Sequence, residues 1–200
     1  MDRTGIFAGD NPIANARLWL EEAMRTEPND ANAMALATVD SDGMPNVRIV
    51  LLKAIEDEGF VFFTNYNSSK GQEIASAATA AVNIHWKSLG RQIRVRGPVE
   101  KISPEASDEY YTSRPHGSRI GAWASRQSEV LNSKDDLVNA VKSFQEKYGD
   151  APPRPPHWGG YVIKPTEIEF WADAEFRLHD RFRWLRKNGS DIWEVKRLNP

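Results

Sequence analysis

A mainly antiparallel β protein with peripheral helices, arranged as one sheet or a small barrel, is the fold class that the sequence predicts. Three observations predict it. Short apolar or alternating segments follow one another with Gly, Asp, Asn and Ser turns between them. Amphipathic helical stretches are few and do not alternate strictly with strands, as they would in a doubly wound fold. A chain of 200 residues, 40% of them hydrophobic, suits a single domain with a real core. Along it we count about seven strands and four or five helices.

Taken in order, residues 1–10 read as a loose, flexible arm. Asn11-Pro12 then opens a helix, with Asn as cap and Pro in the first turn. Ala16, Trp19, Leu20, Ala23 and Met24 form one apolar stripe, expected to pack on the core. Residues 33–39 are the first strand, and DSDG at 40–43 is a turn. The second strand, PNVRIVLLKAI at 45–55, puts Arg48, Val50 and Leu52 on one face. Val47, Ile49, Leu51 and Lys53 take the other. A bulge or an end position could bring Arg48 and Lys53 to one ligand. GFVFFTN at 59–65 is the third strand and completes a meander.

Ser69 and Gln72 have the spacing of a capping box, so a short helix starts there. Its free N–H groups and Lys70 offer a seat for a phosphate, although ordinary capping explains the serines equally well. Residues 79–86 and 91–102 are two more strands. In the second of them Ile93 and Val95 face inward, with Gln92, Arg94 and Arg96 outward. Ser103-Pro104-Glu105 starts a helix that stops near Arg114-Pro115, and residues 118–127 are read as another short one. Tyr110, Arg114 and Ser118 are expected to converge there on an anion. Residues 133–148, capped by Ser133 and stopped by Gly149, form the best helix, expected only to pack. A Pro-rich link at 152–156 leads to strands at 158–163 and 166–172. Asn188-Gly189 between alternating segments predicts a closing hairpin over 181–197.

Composition excludes several classes. Net charge is −2, so no general affinity for nucleic acid or for a membrane surface is expected. There is no cysteine, which removes disulfides and thiolate chemistry. No apolar run has the length of a membrane helix and the N-terminus lacks a signal-peptide core, so a cytoplasmic location is expected. Walker and GxGxxG loops are absent. The four histidines show no metal-ligand spacing, and no metal is expected. In RLHDR, at 177–181, an extended backbone would set Arg177, His179 and Arg181 on one face, a cationic row with an imidazole at its centre. Scattered Arg, Lys, Ser, Tyr and Gln among many aromatic residues fit a site for a phosphorylated aromatic molecule. Pattern alone gives that ligand class and no reaction, and a surface strand with paired charges explains RLHDR by itself as well.

Several of these segments together resemble one family. RIVLLK (48–53), FFTN (62–65), RQIRVRG (91–97), YYTSRPHGSRIGAWASRQS (110–128), WGG (158–160), IEFW (168–171) and RLHDRF (177–182) look like the pyridoxine/pyridoxamine 5′-phosphate oxidases. The motifs stand in the family's order from about residue 30 to the end. The resemblance implies a single FMN-binding split β-barrel domain over 1–200 and a homodimer with FMN between the subunits. It implies oxidation of pyridoxine or pyridoxamine 5′-phosphate to pyridoxal 5′-phosphate. Hydride would pass from substrate C4′ to flavin N5, and dioxygen would reoxidise the flavin, giving hydrogen peroxide.

Carried over by motif, the cofactor residues would be Arg48, Ile49, Val50, Leu51, Leu52, Lys53, Phe63, Thr64, Ser69 and Lys70. Gln92 from the opposite subunit, Gln127, Ser128, Trp171 and Arg181 would complete that set. Lys53, Tyr110, Arg114 and Ser118 would hold the substrate phosphate. Arg177 and His179 would lie over the pyridine ring as the catalytic pair. Two positions depart from the pattern: Ser69 stands where many members have Arg, and Phe63 where Tyr is common. Each implies one polar contact fewer around FMN. A flavin-binding barrel with a different oxidoreductase role and a carrier of pyridoxal 5′-phosphate are the competing readings.

Overall fold

The computed structural model describes residues 3–187 and 192–200. The Asn188-Gly189 turn lies outside the described residues. Nine strands and five α-helices are present among those described: α1 (Pro12–Thr26), β1 (Ala33–Val39), β2 (Pro45–Ile55), β3 (Phe60–Asn65), α2 (Ser69–Ala77), β4 (Thr79–Trp86) and β5 (Arg91–Lys101) come first. They are followed by α3 (Pro104–Ser113), α4 (His116–Ala124), α5 (Lys134–Tyr148), β6 (Trp158–Ile163), β7 (Glu167–Ala172), β8 (Asp180–Arg186) and β9 (Trp193–Leu198). The count of about seven strands was short by two.

All pairings are antiparallel, in the order β4-β1-β2-β3-β6-β5-β7-β8-β9, and β4 also pairs with β5. That extra pairing closes the first six strands into a barrel, and β7 to β9 extend it as a flap. Closure removes the exposed edges that such short strands would otherwise present. β5 makes this possible by serving two sheets. Residues 91–96 pair with both β4 and β7, whereas Val99 to Lys101 pair with β6. The change of partner falls at Gly97, where an added Cβ would lie 1.9 Å from the Lys164 carbonyl oxygen. Only glycine lets the two backbones approach so closely.

The barrel interior is filled by alternating side chains. Ile93 and Val95 are fully buried, as their alternation with Arg94 and Arg96 predicts. One continuous core cluster joins Leu36, Leu52, Phe62, Ile84 and Trp86 to Ile168, Phe170, Phe182 and Trp184 under the flap. α1 seals one end. Asn11 caps it by accepting from the Ile13 and Ala14 N–H groups. Ala16, Trp19 and Ala23 are its buried stripe, while Met24 is 60% exposed.

Residues 3–10 are not the loose arm expected. Phe7 is buried and packs edge-on against Trp19 and tilted against Phe182, with ring centroids 5.6 and 4.8 Å away. Arg3 lies over the Trp184 ring. A single aromatic anchor in so short a stretch leaves no periodic signal, which is why the sequence hides it. α5 has no buried residue and rests on α4 through Trp123, which meets Phe144 and Tyr148. No helix among the described residues is long and apolar enough to cross a membrane.

Candidate active site

A cavity of about 750 Å³ opens between β2, β3, the N-terminus of α2, and the α3–α4 corner. Its size lies in the usual range for a small-molecule site. β2 supplies Ile49, Val50, Leu51 and Lys53; β3 supplies Phe63 and Thr64. The register of β2 against β3 shifts between Leu52 and Ala54, so a bulge, one of the two routes open from the sequence, is present at Lys53. It does not bring Arg48 into the cavity. Arg48 turns instead to Glu73 on α2, with Nη2 2.9 Å from Oε2, and also donates to Thr38. Leu52 is buried in the core, so its side chain lies away from the cavity.

The start of α2 forms the polar floor. Ser68, not Ser69, is the cap, accepting from the Gly71 N–H. The capping position is thus one residue earlier than the spacing implied, and Ser69 is the first helical residue. Gly71 has no room for a side chain, because an added Cβ would sit 2.1 Å from the Tyr66 carbonyl oxygen. Lys70 is buried and reaches Ser68 Oγ at 3.2 Å and Gln127 Oε1 at 3.0 Å. Burial and the neighbouring Arg48 charge push its ammonium pKa down, with Glu73 opposing them. A cation so placed, at a helix start, attracts an anion.

Glu73 organises this corner. It accepts from Asn46 Nδ2 at 2.9 Å, from Thr38 and from Arg48. Burial pushes its pKa up, but those hydrogen bonds and the Arg48 charge outweigh burial and hold it below the ordinary carboxylate value. A lowered folded-state pKa contributes stability that is present above the unfolded value and lost as pH falls through the folded one. Glu73→Gln should therefore be less stable than the parent near neutral pH. The gap should close as pH drops below about 4.5. Melting curves of both proteins from pH 7 to 3 check this, and a gap that stays constant over the range contradicts it.

The opposite wall carries Tyr110, Arg114 and Ser118, which converge on the cavity as their placement around the α3–α4 turn predicts. Tyr110 stacks on Phe63 at 3.8 Å, and the Arg114 guanidinium lies 4.6 Å over Trp158. Arg114 Nη1 is buried without a hydrogen-bond partner among the described residues. Burial pushes its pKa down, opposed by Tyr110 and Tyr111. A buried N–H left unpaired costs free energy unless a ligand answers it, and phosphate geometry suits the guanidinium fork.

Trp158 also lines the cavity and was not singled out from sequence, although it opens the WGG motif. Asn65 and Ser125 were missed as well, since isolated Asn and Ser residues carry no pattern. Ser128 adopts φ +75° just beyond Gln127. It lines a smaller neighbouring cavity of about 440 Å³.

The remaining candidates form a second group on the flap. Gln92, Trp171 and Arg181 are direct cross-strand neighbours on β5, β7 and β8. The buried Glu169 accepts from Arg181 Nε at 2.8 Å and pairs with Arg94 at 3.3 Å. His179 lies 4.6 Å from the Trp171 ring. The extended row expected for residues 177–181 fails at its first member. Glu175–Arg177 is a 3-10 turn, and Phe176 and Arg177 have φ of +58° and +64°. Arg177 is exposed at this turn, and only from Asp180 is the chain a strand. None of the flap residues lines the larger cavity.

Comparison with known proteins places the chain in a family. Residues 20–172 match the family model described as pyridoxamine 5′-phosphate oxidase. Residues 158–200 match a pyridoxine 5′-phosphate oxidase C-terminal dimerisation region. A pyridoxine/pyridoxamine 5′-phosphate oxidase from Cereibacter sphaeroides is 60% identical over the whole of both chains. One from Paracoccus denitrificans is 58% identical over 100% of this chain and 99% of that relative. Among solved structures, PhzG from Burkholderia lata, in complex with tetrahydrophenazine-1-carboxylic acid, superposes with a TM-score of 0.89 at 31% identity. That match covers 96% of this chain and 94% of PhzG. A pyridoxamine 5′-phosphate oxidase-related, FMN binding protein from Nostoc punctiforme shares the fold, with a TM-score of 0.77 at 17% identity over 96% and 100% of the two chains. On these matches the chain is a split-barrel oxidoreductase of the pyridoxamine 5′-phosphate oxidase family.

Proposed function

We propose that this chain oxidises pyridoxine 5′-phosphate and pyridoxamine 5′-phosphate to pyridoxal 5′-phosphate, with FMN as cofactor and dioxygen as final acceptor. The observation that carries this reading is the convergence of Lys53, Tyr110, Arg114 and Ser118 on one cavity in which Arg114 Nη1 lacks a hydrogen-bond partner among the described residues. A second cationic corner, at Lys70, lies across the same cavity. Two phosphate seats flanking an aromatic wall fit two phosphorylated flat molecules held side by side. When bound, FMN would supply the redox chemistry, as acceptor of hydride from substrate C4′ and donor of electrons to dioxygen, with hydrogen peroxide as the second product.

The protein's task is then placement. Lys70 and the α2 start hold the flavin phosphate, with Arg48 next to them. Arg48 is tied to Glu73, and Ser69 contributes no charge, so Lys70 carries most of the cationic attraction. Lys53, Arg114, Ser118 and Tyr110 hold the substrate phosphate. Gln92, Trp171 and Arg181 belong to the flavin and Arg177 and His179 to the pyridine ring, contributed by a second subunit. The division of one chain into two half-sites supports a homodimer with shared sites, as does the match of residues 158–200 to a dimerisation region. The outward stripe of β2 supports it too: Val47 and Ile49 are each 65% exposed. A cytoplasmic setting suits such soluble substrates.

The test is the visible spectrum of the FMN-loaded protein without oxygen, before and after pyridoxine 5′-phosphate is added. Bleaching of the flavin band, its return in air and formation of pyridoxal 5′-phosphate are the expected results. A band unchanged by both pyridoxine and pyridoxamine 5′-phosphates would overturn the proposal and leave a flavoprotein with another substrate. Failure to bind FMN would favour the carrier reading.

A further inference from the structure

The connection from β7 to β8 folds His179 back onto the residue that follows β7. Asp173 is fixed by its own backbone, its N–H donating to the Gly90 carbonyl at 2.8 Å. The positive φ values at Phe176 and Arg177 reverse the chain, and His179 returns with Nδ1 3.0 Å from Asp173 Oδ1. The Ala174 N–H approaches the same ring nitrogen at 3.3 Å. The imidazole side chain is mostly covered, whereas Asp173 is exposed.

Two groups with opposite demands thus meet one nitrogen. An N–H can donate to Nδ1 only if that nitrogen is bare, and a carboxylate can accept from it only if it carries the proton. A carboxylate oxygen at 3.0 Å from a bare nitrogen sets lone pair against lone pair. The charge-assisted bond is also the stronger of the two. We infer that Asp173 is a positioning residue for His179: its carboxylate accepts the Nδ1–H, so the neutral ring presents a bare Nε2. The hydrogen bond made by one ring nitrogen sets the chemistry of the other. A bare Nε2 accepts a hydrogen bond from the hydroxyl or ammonium group on the substrate carbon that loses hydride, and so orients that carbon. This last step rests on the oxidase reading given above; the tautomer itself does not.

The experiment is a two-bond nitrogen–proton correlation spectrum of the imidazoles in the FMN-loaded protein, at a pH where the ring is neutral. With four histidines in the chain, a His179→Gln variant assigns the signal. The parent should show protonated Nδ1 and bare Nε2. In Asp173→Ala only the Ala174 N–H remains, and the pattern should reverse. Asp173→Asn, which keeps an acceptor oxygen, should restore the parent pattern at least in part.

Turnover of pyridoxine 5′-phosphate should fall roughly 10- to 100-fold in kcat for Asp173→Ala, the scale expected when a reacting group is misplaced. KM should change less, and FMN titration should be unaltered. A parent spectrum that already shows protonated Nε2 would overturn the inference. So would a reversed tautomer with undiminished kcat. If the parent oxidised neither substrate, the oxidase reading would fail on its own, while the tautomer pattern would still decide what Asp173 does.

Discussion

Replacing Arg114 by Ala should lower kcat/KM for pyridoxine 5′-phosphate by about 30- to 4000-fold and leave the fold intact. Losing one partner of a buried, hydrogen-bonded charge pair costs roughly 2–5 kcal/mol, and each 1.4 kcal/mol or so is tenfold in rate. Among the described residues the guanidinium has no such partner at Nη1. Its removal therefore relieves an unanswered burial cost, and the melting temperature should stay level or rise. That combination separates a ligand contact from a structural one. Arg114→Lys should recover little, because an ammonium on a flexible stem cannot reproduce the fork. Steady-state kinetics beside a melting curve make the check, and a kcat/KM within threefold of the parent would remove Arg114 from the substrate site.

Phe170→Ala should produce the largest loss of stability. The ring is 1% exposed. It meets Trp19 edge-on at 4.9 Å and Trp184 at 5.1 Å. It thereby ties α1 to the flap across the end of the barrel. Truncating a buried Phe to Ala costs about 3–5 kcal/mol. In a chain of this size each kcal/mol shifts the melting temperature by roughly 2–4 °C. A fall of about 6–20 °C is expected by calorimetry. Leu18→Ala serves as the control. Leu18 is on the same helix but 61% exposed, and its loss should move the transition little. Equal shifts for the two would mean that the tie between α1 and the flap does not limit stability.

The strands were largely legible because alternation and turn residues are local. β1, β2 and β4 run over the residues that the pattern marked. Helix starts at Asn11, Ser103 and Ser133 were legible for the same reason, since cap and first turn lie within a few residues. Barrel closure was not readable from pattern, because the pairing of β1 with β4 and of β3 with β6 depends on long-range register. The split-barrel assignment came from the family motifs instead.

In the site, Tyr110, Arg114 and Ser118 were readable as a group because they border one turn. The acids that hold the cationic residues were not. Glu73 lies 25 positions from Arg48, and Glu169 lies 12 from Arg181. Nothing local joins such pairs. Asp173 lies six residues before His179 and is joined to it only by an irregular turn with positive φ. Alternation arguments assume a straight strand, and at Arg177 that assumption failed.

The double duty of β5 has a consequence for how the chain tolerates change in length. Residues 91–96 place Gln92 beside Trp171, and residues 99–101 seal the barrel against β6. Both alignments are anchored at Gly97. Deleting or inserting one residue between Gln92 and Gly97 would rotate every side chain of that half-strand to the opposite face. Gln92 would turn inward while the seal remained in place. The loop at 87–89 stands outside this constraint, whereas Gly90 holds the Asp173 N–H. Among length variants of the protein, those altered at 87–89 should keep both barrel and flap, whereas those altered inside β5 should keep at most one.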